Sequence, residues 1–102
     1  MGKKILQINM KYNVTATELA QAFLGVAQPI ANVKGLQWKV WIHNGEEKSA
    51  GGIYLFEDEA SVKGYLDSEI VSGLMKHPAV SDIEAKVFDV LLEHSKITRA
   101  PI

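Results

Sequence analysis

Residues Leu36–His43 (LQWKVWIH) alternate between two sets of side chains, and this run constrains the fold more than any other. In an extended strand Leu36, Trp38, Val40 and Ile42 share one face, and Gln37, Lys39, Trp41 and His43 share the other. Gly35 opens the run, and Asn44-Gly45 starts a turn through Ser49. Ala50–Phe56 then reads as the return strand of a hairpin. A two-stranded ribbon is only marginally stable in water, so other elements must pack on it.

The flanking sequence supplies them. Lys3–Met10 sets Leu6, Ile8 and Met10 against Ile5, Gln7 and Asn9 with the period of a strand. Thr15-Ala16-Thr17-Glu18 is a capping-box pattern, followed by Leu19, Phe23, Val26 and Ile30 on one helical face. Pro29 has no amide donor and predicts a kink or break near Gly25–Pro29. Asp58 caps a second helix with the stripe Val62, Tyr65, Leu66, Ile70 and Leu74, which His77-Pro78 ends. Ile83–Val90 reads as a last strand and Leu91–Ile102 as a tail. The order βαββαβ predicts a ferredoxin-like α+β sandwich, a four-stranded antiparallel sheet with two helices on one face. Its 102 residues fit a single domain, 1–102.

Two helices cover only one face. If Leu6, Ile8, Met10, Trp38, Val40, Ile42, Tyr54, Phe56, Ala85 and Val87 meet the helices, the open face holds Trp41, Ile53, Leu55 and Phe88. That patch is too apolar to leave in water. A second copy of the chain is its simplest cover, so a homodimer through Trp41, Ile53, Leu55 and Phe88 is expected.

Several functions are excluded. With no cysteine there is no disulfide scaffold, thiolate metal site or thiol nucleophile. Ser49–Phe56 can be laid on the third-strand octamer of an RNA-recognition motif, which shares this element order. Its stacking positions then fall on Gly51 and Ile53, with Gln7 as their first-strand partner, none of them aromatic. With a net charge of −1, nucleic acid is not an expected partner. No apolar run is long enough to span a bilayer, and the first residues lack a secretory h-region, so a cytoplasmic protein without membrane contact is expected. His43, His77 and His94 sit on different elements with no metal-ligand spacing, and no metal is expected. There is no nucleophile elbow for serine hydrolysis. Glu46, Glu47 and Glu57–Glu59 fall in turn or helix-cap positions, where carboxylates are solvated. Trp38, Trp41, Tyr54, Phe56 and Tyr65 have the makings of an apolar cavity with a few polar handles.

The blocks Gly35–Trp41 (GLQWKVW) and Ala50–Phe56 (AGGIYLF), with Asp58-Glu59, Tyr65-Leu66 and Ala85–Val90, resemble the YdhR-type monooxygenase family, in order over residues 4–98. The resemblance implies a dimeric α+β barrel, in which two ferredoxin-like subunits pack sheet against sheet. That superfamily includes small monooxygenases that oxidise aromatic polyketides without metal, flavin or haem, and also proteins with no known activity. It implies a cofactor-independent monooxygenase acting on an aromatic or phenolic small molecule. The other reading is a non-enzymatic dimer that binds a small hydrophobic ligand or serves in stress response.

For such an oxygenase the substrate supplies the electrons as a phenolate or enolate, and the protein supplies a proton acceptor and a stabiliser of the anion. His43 and Tyr54 are the candidate catalytic residues, and Trp38, Lys39, Trp41, Phe56 and Tyr65 the candidate substrate-binding residues. Strict alternation divides them. A helix-side pocket would use Trp38, Tyr54, Phe56 and Tyr65; a barrel-side pocket would use Lys39, Trp41 and His43, unless a bulge intervenes.

Overall fold

Four antiparallel strands lie in the order β2-β3-β1-β4 in the computed structural model, which describes residues 2–102; Met1 lies outside the described residues. The elements are β1 (Lys4–Tyr12), α1 (Ala16–Ala31), β2 (Leu36–Asn44), β3 (Ser49–Phe56), α2 (Glu59–Leu66), α3 (Glu69–Lys76), β4 (Val80–Asp89) and α4 (Leu92–Ile97). This is the ferredoxin-like α+β sandwich expected from the sequence. Leu6, Ile8, Met10, Tyr54 and Phe56 from the sheet form one buried core with Leu19, Ile30, Val62 and Tyr65 from α1 and α2. Phe56, Leu6 and Ile8 are the largest side chains fully buried there, each contributing about 1.5–3 kcal/mol through burial.

Local chemistry sets the helix ends. Thr15 and Glu18 close a reciprocal capping box, and Asp58 accepts from the Ser61 amide at 2.8 Å. The single helix expected after Asp58 is instead two. Ser68 recaps the chain by accepting from Val71 N–H, so α3 starts afresh and Ile70 and Leu74 follow a new axis. The break expected at Pro29 is also absent, and α1 runs on to Ala31. Pro29 and Gly25 are both exposed, so water reaches the Gly25 carbonyl, which the missing amide would have served. Gly35 turns the chain into β2 at φ 87°, and a β-carbon there would collide with Ser61.

One extra residue in β2 decides which side chains face the helices. Leu36 pairs with Phe56 but Trp38 pairs with Leu55, so β2 advances two residues while β3 advances one. Gln37 is therefore a bulge, and beyond it every side chain of β2 changes face. Lys39 pairs with Tyr54, Trp41 with Gly52 and His43 with Ala50, all on the helix side. Trp38, Val40 and Ile42 move to the open side. The assignment from strict alternation is thus reversed for β2, and Trp41 is not on the open face.

The residues after β4 change that face again. Val90 leaves the sheet at its β4 edge, yet the Pro101 carbonyl accepts a 2.8 Å hydrogen bond from the Trp38 indole on β2, the opposite edge. The segment carrying α4 therefore crosses the open face. Leu55 lies on that face and is fully buried, so it is already covered within one chain and offers no area to a partner. Val40 and Phe88 stay about half exposed, at 52% and 46%. Ala85 and Val87 share the helix side by register but remain exposed, because the helices do not cover this end of the edge strand.

Replacing Trp38 by Phe keeps the ring and removes the bond to Pro101. A loss of about 1 kcal/mol is expected in urea unfolding, with faster amide exchange over residues 99–102.

Candidate active site

The bulge places Lys39 and Trp41 beside Tyr54, and α1, α2 and α3 roof this part of the sheet. Between them lies a cavity of about 640 Å³ whose wall includes Phe23, Lys39, Trp41, Tyr54, Tyr65 and Leu74. That volume is within the range of small-molecule sites. Phe23 of α1 packs on Trp41 with ring centroids 5.1 Å apart, which fixes the indole.

Lys39 is the unusual group. Its Nζ stands 3.3 Å from the Trp41 ring centroid and 4.5 Å from that of Tyr54. Among the described residues the only salt bridge joins Lys4 to Asp89, so Lys39 has no carboxylate partner. Burial lowers its pKa from 10.5 to about 7, and the two ring faces are what favours its protonated form. Near neutral pH, about half of the molecules carry an uncharged amine here. A solvated lysine does so in roughly one molecule in three thousand.

Space for this side chain comes from Gly52. It pairs with Trp41 and Ile8 on the helix side, and a β-carbon there would overlap Lys39 Cε and press on Tyr54. The missing side chain of Gly52 thus makes room for an amine.

Tyr54 and Tyr65 complete the polar set. Their hydroxyls are 2.9 Å apart, buried and hydrogen-bonded to each other. Burial is the main force pushing both phenols above the usual range; the partner Tyr65 raises Tyr54 further through charge and hydrogen bonding. Both therefore stay protonated and act as donors. One hydroxyl hydrogen bridges the pair, which leaves the other for a guest in the cavity.

The remaining candidates do not join this group. Phe56 is fully buried behind Tyr54, 6.0 Å between ring centroids, and supports the site without lining it. Trp38 is on the other face, held to Pro101. His43 shares the helix side but is exposed at the end of β2, where its Nε2 lies 3.0 Å from the Tyr12 hydroxyl. It lines recesses beyond Trp41 and not the large cavity. α3 also brings Glu69 and His77 to the cavity wall, a placement that the second cap at Ser68 creates and that a single helix after Asp58 does not predict. No three His, Asp or Glu side chains converge as a metal site among the described residues, and no helix there is long and apolar enough to cross a membrane.

A ferredoxin-like sandwich with an aromatic cavity under its helices is the class defined by this architecture. Residues 5–101 match the family described as putative mono-oxygenase ydhR, and the chain belongs to that family. No curated protein matches the sequence. Among solved structures, the chain is similar to a protein of unknown function from Nitrosomonas europaea, with 25% identity and a TM-score of 0.72 over 89% of this chain and 91% of that one. SnoaB, a cofactor-independent oxygenase from Streptomyces nogalater, shares the fold at 12% identity, with a TM-score of 0.72 over 88% and 94% of the two chains. So does a dimeric ferredoxin-like protein of unknown function from Thermobifida fusca, at 16% identity with a TM-score of 0.67 over 88% and 93%.

The lowered pKa has a definite sign in stability. Between about pH 7 and 10.5 the unfolded chain binds the Lys39 proton and the folded chain does not, so this residue makes stability rise with pH across that window. Lys39→Met should stabilise the fold at pH 6 by on the order of a few kcal/mol, since no charge is then buried. The difference between variant and parent should close as pH approaches 10, as urea unfolding at several pH values would show.

Proposed function

We propose that the protein is a small, cofactor-independent monooxygenase that acts on a phenolic aromatic molecule in this cavity. Lys39, an unpaired amine against the faces of Trp41 and Tyr54, is the observation that carries the reading. Family membership and the shared fold of SnoaB support oxygen chemistry. The amine accepts the phenol proton, and the resulting ammonium, with the free hydrogen of the Tyr54–Tyr65 pair, holds the phenolate. Its electrons pass to O2 at a ring carbon that bears two hydrogens in the keto tautomer. A C–O bond forms, and loss of water leaves a carbonyl there, so one oxygen atom enters the product and the other leaves as water. Lys39 thus takes the proton-accepting role that the sequence suggested for His43, while Tyr54 and Tyr65 donate.

Oxygen uptake with a panel of phenols and hydroquinones tests the reading. Turnover that falls on the order of a hundredfold in Lys39→Met is expected. Tight binding without oxygen consumption would overturn it and leave a ligand-binding protein.

A homodimer through the open face belongs to the same proposal. Val40, Ile53 and Phe88 are its contacts, not Trp41 or Leu55, and the exposed Leu91, Leu92 and Ile97 of the crossing segment border them. The dimeric protein from Thermobifida fusca with this fold supports it. Phe88→Asp should turn a dimer into a monomer by light scattering; an unchanged dimer would place the interface elsewhere.

A further inference from the structure

We propose that Lys39 is also a covalent capture site for aromatic aldehydes and ketones, whose carbonyl carbon its ε-amine joins as a reversible imine. Three features of the structure converge on it. The amine projects into a cavity of about 640 Å³ that is wide enough for a ring system. It has no carboxylate to hold its proton. Nζ lies against two aromatic faces, so an aromatic guest stacked in the cavity brings a carbonyl substituent within its reach. A lysine relieved of its charge by an apolar pocket is the usual form of an amine nucleophile.

The step balances without any oxidant. The nitrogen lone pair forms the C–N bond while the carbonyl π pair moves to oxygen, which receives a hydrogen bond from the free Tyr54–Tyr65 hydroxyl. A proton passes from nitrogen to that oxygen to give the carbinolamine. The remaining proton of the nitrogen then passes to that oxygen, which leaves as water as the C=N bond forms. When protonated, the iminium is again a cation over Trp41, so the ring that supports the ammonium also supports the adduct. The other ionisable groups on the cavity wall are Glu18 of α1, Glu69 of α3, His77 just after it, and the two tyrosines. None forms a salt bridge with Lys39.

Imine formation consumes no oxygen, so its test separates from that of the oxygenase reading. The protein would be incubated anaerobically with benzaldehyde and cyanoborohydride at pH 7, then analysed by intact mass and peptide mapping. Addition of one benzyl group is expected, located on Lys39, at a rate on the order of tenfold or more above any surface lysine. Lys39→Arg should lose that label while keeping the native circular dichroism. Gly52→Ala, which drives the side chain from its niche, should slow it. Labels spread evenly over the surface lysines of the unaltered protein, or a single label that persists in Lys39→Arg, would overturn the proposal. The distribution in the unaltered protein decides the matter even if a variant fails to fold.

Discussion

A single unpaired residue, Gln37, governs the chemistry of this molecule. Without the bulge, Lys39 and Trp41 would lie on the open face and Trp38 would lie under α1. The cavity would then have an indole but no amine. With it, the order of side chains on β2 inverts from Trp38 onward, while Leu36 keeps its place opposite Phe56 in the core. One strand thus contributes its first residue to the fold and its later ones to the site. Deleting Gln37 would make the ladder regular and leave Lys39 opposite Tyr54, so the faces depend on this one position being extra.

The amine so placed is costly. A cation in an apolar cavity is opposed by desolvation, and neither a carboxylate nor a hydrogen bond from the chain offsets it. Cation–π contact returns about 0.5–2 kcal/mol, which is less than the protonation bias that burial imposes. Burial wins, and the group is left poised between its two forms near neutrality. Stability surrendered at one buried position while neighbouring groups remain satisfied is the pattern expected of a working site. Tyr54 and Tyr65 show the contrast: more deeply buried than Lys39, they satisfy each other and stay neutral.

Much of this was legible in the sequence. The order of elements, the capping box at Thr15 and the core faces of β1 and β3 follow from spacing alone, because one buried face enforces a period of two in a strand and 3.6 in a helix. Family blocks around Gly35–Trp41 and Ala50–Phe56 led to the same fold and family. The bulge was not legible, since Gln37 is an ordinary polar residue in an unbroken alternation and its extra position exists only relative to β3. Strict alternation consequently puts Trp38, Lys39, Trp41 and His43 on the wrong faces. His43 drew attention as a titrating residue type, whereas Lys39 owes its character to Gly52 and to burial, neither of which is a property of its own position in the chain. Ser68 was hidden in the same way, as one serine inside a stripe that continued past it.

The segment that crosses the open face also decides what the molecule shows when it opens locally. When residues 91–101 lift away, Trp38 loses its bond to Pro101 and the apolar face around Leu55 loses cover with it. Such a face engages chaperones or other copies of the chain, which the closed molecule half prevents. The hold of one indole on one carbonyl therefore bears on how often the molecule turns adhesive.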